Sequence, residues 1–266
     1  MAKDYTNQHI VPKRYLDRFG TKDDKRTIIG ARIVDKGNVR FFTDSTVNVG
    51  CIKNYYDVTD KNDPKYWEHY FAREIDTLCG QDMENIIAKA TLFQKNATIL
   101  SDQDKQVLSK VIVAQLMRIP ESIDYVKNVL YPRVSAQVKE DLISAFPPDF
   151  VEKHREQIMN TEFSEQGQKE LMFNHTFEPA NFDRYCDVLQ AGVWVVYDNT
   201  LYNTTPFVTS DNPVLVEGVG KAATGLFSNG LANPATCIFY PISPSIAVSL
   251  LRPFLLLSIL FPFGFC

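Results

Sequence analysis

The stretch VWVVYD (193–198) decides the fold class, because the spacing of apolar residues changes there from helical to extended. An unbroken run of valine, tryptophan and tyrosine favours a β-strand. Gly192 stands directly before it, at a position where helices commonly end. We therefore expect helices on the N-terminal side of this point and strands on its C-terminal side.

Four further β-branched and aromatic runs come after it, separated by Asn, Pro and Gly. They are FVTS (207–210), PVLVE (213–217), TCIFYPIS (236–243) and SIAVSLL (245–251). Together with 193–198 they predict a C-terminal set of strands that completes one sheet.

Before Gly192, apolar residues recur at helical spacing. The predicted helices cover 64–95 (interrupted by Gly80), 106–119, 122–145, 148–159, 164–174 and 181–190. Ser101 and Asp104 form a plausible cap before QVLSKVIVAQLMRI (106–119), which is apolar enough to lie in the core.

The N-terminal part predicts a short helix over 11–20 and a β-hairpin formed by 26–34 and 38–44, followed by an irregular segment over 51–63. No repeat or low-complexity linker separates these blocks from the rest. We therefore expect one α+β domain over 1–266, in which N- and C-terminal strands share a sheet.

Composition excludes two classes of protein. The chain has 266 residues, 45% of them hydrophobic and 12% aromatic, and a net charge of -4, which excludes a disordered chain and a generally basic nucleic-acid coat. Residues 1–40 alone are cationic, with ten basic and five acidic residues. Such a segment either faces an anion, such as phosphate or nucleic acid, or is a solvated surface that balances the acidic remainder; we favour the solvated surface.

The last residues, 252–266, form an atypical apolar tail, uncharged from Pro253 onward. Its fourteen uncharged residues are fewer than the roughly 20 that span a bilayer, and two prolines interrupt them, so we expect no membrane span. The alternatives are a buried strand, a surface covered by a partner, or an end altered by truncation or frame change, which we favour. Five cysteines without CxxC spacing and a polar N-terminus predict free thiols and a cytoplasmic location.

The sequence carries none of the signatures for dinucleotide, phosphate-loop, zinc-protease, hydrolase or calcium chemistry. The candidates are therefore polar residues in unusual surroundings. His9 precedes a helix, where it caps, binds an anion or acts as a general base. Arg118 ends the most apolar helix, where it needs a carboxylate partner or a bound anion. Ser210 and Asp211 lie in a turn between two apolar runs, which is either ordinary turn chemistry or a site.

The long helix over 64–95 offers further candidate carboxylates, which are Glu68, Glu74, Asp76 and Glu84. Glu74 shares a helix face with Tyr70 and Leu78, close to the expected buried edge. It is a candidate partner for Arg118 or a metal ligand, although an exposed salt bridge is the favoured interpretation.

Four short segments occur in an order that resembles the bacterial DUF4238 family. They are QHIVPKRYLDRF (8–19), QLMRIP (115–120), PFVTSDNPV (206–214) and FYPISPS (239–245), so the resemblance covers residues 8–251. The family is functionally uncharacterised and implies no catalytic assignment. It does imply that His9, Arg118, Ser210 and Asp211, which match polar motif positions, are parts of one site.

These residues support two hypotheses of function. The first is a hydrolase acting on a phosphate-containing substrate such as a nucleic acid, with His9 as general base or metal ligand and Arg118 as a phosphate clamp. Asp211 would hold a divalent metal or orient water, beside Ser210. The alternative is a non-catalytic binding module in which the same His, Arg and Asp residues form a closed structural cluster.

Overall fold

The structure is a computed structural model that describes residues 6–22, 26–34, 37–58, 63–91, 100–162, 164–200, 205–218, 231, 233 and 236–251. The apolar tail 252–266, which ends with Cys266, lies outside the described residues. Among the helices in the described ranges, none combines the length and apolar character needed to cross a membrane.

The N-terminal part contains two small antiparallel sheets. Strand β1 (Asn7–His9) pairs with β4 (Cys51–Lys53), and β2 (Thr27–Ile33) pairs with β3 (Val39–Ser45). The short helix α1 (Lys13–Leu16) and the hairpin confirm the predictions for this region. The prediction that 51–63 is irregular was wrong for β4, because a strand of three residues is too short to show an alternating pattern.

The central part is helical, as the periodicity predicts. Its helices are α2 (Tyr66–Tyr70), α3 (Gln81–Thr91), α4 (Asp102–Arg118), α5 (Pro120–Tyr125), α6 (Tyr131–Ala145), α7 (Pro148–Asn160), α8 (Glu165–Thr176) and α9 (Pro179–Gln190). Two π-helical turns, Phe71–Ile75 and Val126–Leu130, come after α2 and α5. The predicted cap is confirmed: Ser101 and Asp104 form a reciprocal capping box at the start of α4.

The C-terminal strands form one antiparallel sheet in the order β5-β8-β7-β6. Their bounds are β5 (Val193–Asp198), β6 (Leu215–Gly218), β7 (Thr236–Pro241) and β8 (Ile246–Leu251). The α+β class is thereby confirmed. The expectation that N- and C-terminal strands share a sheet was wrong: in the described residues the N-terminal strands pair only with each other.

The predicted strand over 207–210 was also wrong. A strand needs a repeating ladder of backbone hydrogen bonds. The backbone bond that the structure describes for this segment runs from Phe207 N–H to the Pro244 carbonyl, at 2.8 Å, and Thr209 is held through its side chain instead. The segment is therefore an irregular connection that is held to Pro244 and Tyr15 without joining the sheet.

One hydrophobic core runs through all three parts of the chain, from Ile10 near β1 to Leu250 in β8. Helix α4 lies within this core, as predicted, with Leu108, Ile112 and Val113 fully or almost fully buried. The described cysteines are all free; Cys79 and Cys186 are buried, whereas Cys51 and Cys237 are half-buried. That the whole chain is a single domain stays a prediction.

Candidate functional site

Tyr15 of α1 connects three of the four sequence motifs. Its hydroxyl donates to the Pro241 carbonyl at 2.8 Å. Because a carbonyl oxygen only accepts, the Thr209 hydroxyl, at 2.7 Å, must donate to Tyr15. The Tyr15 ring also stacks on that of Tyr240, with centroids 5.3 Å apart. The motifs at 8–19, 206–214 and 239–245 therefore meet around one buried phenol.

Gln115 connects the remaining motif to the same region. Its amide Nε2 donates to the Ile10 carbonyl at 3.0 Å. Its Oε1 accepts from Arg118 Nη2 at 3.3 Å, one turn further along α4. The end of α4 is thus attached to the segment that comes after His9.

Arg118 is completely buried, with 0% of its surface exposed. Its Nη1 donates to Asp76 Oδ1 at 2.9 Å, and its guanidinium lies 5.4 Å from the centroid of the Phe71 ring. Burial disfavours the charged form, but Asp76 and the nearby Tyr56 raise the pKa of Arg118 above its ordinary value. Arg118 Nε has no hydrogen-bond partner among the described atoms. The expected need for a carboxylate is therefore met by Asp76.

Glu74 does not pair with Arg118. It is exposed and forms an ion pair with Arg73 at 2.6 Å, which is the interpretation that the sequence favours. The π-helical turn explains why Asp76 takes the inner position: Asp76 N–H bonds to the Phe71 carbonyl, five residues earlier. Because a π-turn holds one residue more than an α-turn, it rotates the next residues of the chain around the helix axis.

His9 lies at the end of β1 and is half-buried. Its Nε2 is 3.1 Å from the Thr46 carbonyl, so Nε2 carries the proton and Nδ1 is the acceptor. Burial lowers the pKa of His9, with Arg118 and Lys13 acting in the same direction, while Thr46 and Asp76 oppose the shift. The lowered pKa favours the neutral form of His9, and the charges of both Arg118 and Asp76 act on its ring.

Ser210 and Asp211 lie in an exposed turn. The Ser210 hydroxyl donates to the Asn212 carbonyl at 2.8 Å and accepts from the Asn212 N–H at 3.2 Å. No hydrogen bond or ion pair within the described residues joins Asp211 to His9 or Arg118. The structure thus places Arg118 in the core beside Asp76 and Gln115, and His9 at the end of β1 against Thr46. Ser210 and Asp211 stay at the surface.

The catalytic roles of His9, Arg118, Ser210 and Asp211 stay predictions, as do the metal-ligand roles of His9 and Asp211. Within the part of the chain that the structure describes, His, Cys, Asp and Glu side chains form no group of three or more arranged to hold a metal ion.

Glu68, one of the candidate carboxylates of the long helix, is half-buried and is influenced by the charges of Asp76 and Arg118. Burial and repulsion from Asp76 raise the pKa of Glu68 to about 7, against the opposing influence of Arg118 and His69. Tyr56 is fully buried and donates its hydroxyl to the His9 carbonyl at 3.1 Å. Tyr15 and Gln115 stand inside the recognised motifs, so motif membership is the signal that marks them; Glu68 and Tyr56 lie outside the motifs.

Comparison with known proteins places the chain in a family. The model of a protein family described as a protein of unknown function, DUF4238, matches residues 7–255. Searches of curated proteins and of solved structures returned no match. The matched range contains all four motifs that meet around Tyr15 and Gln115, and on this basis the chain belongs to the DUF4238 family.

Proposed function

We propose that this protein is a non-catalytic binding protein in which the cluster of His9, Asp76 and Arg118 is structural. The burial of Arg118 carries this proposal. A phosphate clamp must touch its substrate, but this guanidinium has no exposed surface and directs Nη1 and Nη2 to Asp76 and Gln115. A buried arginine paired in this way fixes the elements around it.

Binding then takes place on the outer surface of the protein. The hairpin β2–β3 carries large apolar side chains that are mostly exposed, among them Ile29 and Phe41. Exposed apolar side chains that are contiguous mark interaction sites more often than isolated ones do. The hairpin is therefore the candidate contact surface.

The test separates a structural cluster from an active site. Arg118→Met is expected to lower the free energy of unfolding by several kcal/mol, about 3–5 if the pair behaves as a buried one. Asp211→Asn is the matched control at the surface and should change it by less than about 0.5 kcal/mol. Both measurements use urea unfolding followed by circular dichroism.

The same preparations are assayed for cleavage of phosphomonoesters, RNA and DNA with Mg²⁺ or Mn²⁺. We expect no turnover by the wild-type protein. Metal-dependent turnover that disappears in Asp211→Asn, with stability unchanged, would overturn the proposal.

His9 favours a second candidate, a hydrolase acting on a phosphate-containing substrate such as a nucleic acid. The Thr46 carbonyl fixes its tautomer and leaves Nδ1 as an acceptor on a neutral ring, which suits a general base. Asp211 and Ser210 would then act from the surface turn, and a divalent metal is the candidate cofactor.

For this candidate, His9→Ala is expected to abolish hydrolysis while retaining the unfolding cooperativity of the wild type. His9→Gln is the matched variant, because its amide keeps a donor for Thr46 while lacking a base. Equal turnover in all three proteins, or none in the wild type, would remove the candidate.

A further inference from the structure

The hairpin β2–β3 has two unlike faces. Its register pairs Ile29 with Thr43, Ala31 with Phe41 and Ile33 with Val39, so alternate residues share a face. The first face consists of Thr27, Ile29, Ala31, Ile33, Val39, Phe41, Thr43 and Ser45, and it contains no charged side chain. We call it the apolar face of the hairpin.

The large side chains of the apolar face are strongly exposed. Relative exposure is 75% for Ile29, 77% for Ile33, 55% for Val39 and 77% for Phe41. Ile28, on the opposite face, is buried and attaches the base of the hairpin to the core. The hairpin therefore projects from the body of the protein with its apolar face uncovered by the described residues.

The opposite face is cationic toward the tip of the hairpin and carries Asp44 at its base, across from the buried Ile28. Arg32 lies directly across from Arg40, and both are exposed. The Arg32 guanidinium lies 5.6 Å from the centroid of the Phe42 ring. Like charges placed directly across two strands destabilise the pair, and an anion between them relieves this repulsion.

Further charged groups lie at the base of the apolar face. A cleft there is lined by Lys13, Arg26, Thr27, Thr43, Asp44, Ser45 and Val47. Lys13 is paired with Asp17 at 2.8 Å, and Asp44 accepts from Ser45 N–H and Asn48 Nδ2. Arg26 is exposed, and its contact with the Asp17 carbonyl is long, at 3.5 Å. Arg26 thus adds a cation at the rim of the apolar face.

We propose that this hairpin docks on the surface of an anionic phospholipid bilayer. The apolar face lies in the boundary between headgroups and acyl chains, and Arg26 at its rim contacts lipid phosphates. The long side chains of Arg32 and Arg40 reach the phosphates around the edges of the two-stranded ribbon. A structural element with an apolar face and arginines around it binds such an interface through both the hydrophobic effect and charge. The inference rests on the proposed function as a binding protein and names its partner.

Other partners account for only one of the two faces. Single-stranded nucleic acid would pair with the arginines and stack on Phe41. It binds through successive aromatic platforms, however, and the other large side chains of the apolar face, Ile29, Ile33 and Val39, are aliphatic. A second copy of the chain would cover the apolar face but leave Arg32 and Arg40 opposed. An anionic bilayer surface matches the apolar face and the cations together.

The test is sedimentation of the full chain with vesicles of phosphatidylcholine alone or phosphatidylcholine containing phosphatidylserine. We expect binding to the anionic vesicles and at least tenfold weaker binding to the neutral ones. Arg32→Gln with Arg40→Gln should weaken anionic binding by about fivefold for each arginine. Phe41→Thr with Ile29→Thr should weaken it by more than tenfold, because threonine keeps strand propensity but removes the apolar contact.

Val208→Thr is the matched control, because Val208 is equally exposed and lies outside the hairpin. It should leave vesicle binding unchanged, and thermal unfolding should show that all variants are folded. For each variant, light scattering detects dimers and a titration with single-stranded DNA detects nucleic-acid binding.

Absence of binding to anionic vesicles, or equal binding by Phe41→Thr with Ile29→Thr and the wild type, would overturn this inference. A dimer or DNA complex that the same variant disrupts, without vesicle binding, would also overturn it while leaving the proposed binding function intact. Turnover that depends on Asp211 would instead overturn the proposed function.

Discussion

Arg118 and Asp76 lie 42 residues apart in the chain and share a hydrogen bond of 2.9 Å between Nη1 and Oδ1. The pair joins the end of α4 to the helical segment after α2, and Gln115 extends the connection to the Ile10 carbonyl. Arg118 and Gln115, which share one motif, thus link α4 to Asp76 and to Ile10 in distant parts of the chain.

A double-mutant cycle measures the coupling within this pair. Arg118→Met alone leaves the Asp76 carboxylate without its cation and should cost about 3–5 kcal/mol of unfolding free energy. Arg118→Met combined with Asp76→Leu should recover part of that loss, because an apolar pair of similar volume has no charge to desolvate. Urea unfolding measures these two variants and Asp76→Leu alone, which completes the cycle.

Arg73→Ala is the control for the cycle, because it breaks the exposed pair with Glu74 and should cost less than about 1 kcal/mol. Strictly additive single and double effects would show that Arg118 and Asp76 are not coupled.

The Tyr15 hydroxyl can be removed without changing the ring. Tyr15→Phe leaves the buried Pro241 carbonyl without this donor and Thr209 without this acceptor, at an expected cost of about 1–3 kcal/mol. Tyr197→Phe is the control, since its hydroxyl is 3.2 Å from Ser249 Oγ on a partly exposed side chain. The thermal unfolding midpoint of Tyr15→Phe should lie well below that of Tyr197→Phe. Equal midpoints would refute the connecting role of Tyr15.

Glu68 predicts a pH dependence of stability. Burial and Asp76 raise the pKa of Glu68 from 4.5 to about 7 in the folded protein. Between pH 4.5 and about 7 the folded state therefore holds a proton that the unfolded state has released. The stability that this protonation contributes is complete below pH 4.5 and is lost as the pH rises through about 7. Glu68→Gln removes the titrating group, so the variant should gain stability over the wild type from about pH 5 to about pH 8.

Urea unfolding at both pH values measures this difference. The His9 pKa is lowered and acts in the opposite sense, because stability is lost as the pH falls below 6.5. His9 is present in both proteins, so comparing Glu68→Gln with the wild type isolates Glu68. A difference independent of pH would contradict the prediction.

Gly50 shapes the chain before β4. It has a φ of +66°, its carbonyl accepts from the N–H groups of Ile10 and Val11, and a Cβ there would lie 3.0 Å from Leu16 Cδ1. Gly50→Ala should cost about 1–3 kcal/mol through backbone strain and crowding.

Gly37→Ala is the matched control, because Gly37 also has a positive φ of +82° but has open space where the Cβ would lie. Thermal unfolding should show a smaller loss than for Gly50→Ala. Equal losses would mean that crowding at Val11 and Leu16 contributes nothing.

Local features of the sequence predicted most of the secondary structure. Helical periodicity located the helices, Ser101 and Asp104 located the start of α4, and the run at 193–198 located the change to strands. These predictions succeeded because side-chain spacing, capping and β-propensity act over a few neighbouring residues. The strand predicted over 207–210 failed because composition alone does not supply a pairing partner.

The sequence by itself determined the α+β class, the helical centre with strands after it, and the four motifs that identify the family. Only the tertiary structure decided that Asp76 rather than Glu74 meets Arg118, that β1 pairs with β4, and that Ser210 and Asp211 stay at the surface. Each of these outcomes depends on contacts between distant segments. The pairing of Asp76 with Arg118 also depends on a π-turn that shifts the helix face by a residue. Such contacts are fixed by how the whole core packs, which no local pattern encodes.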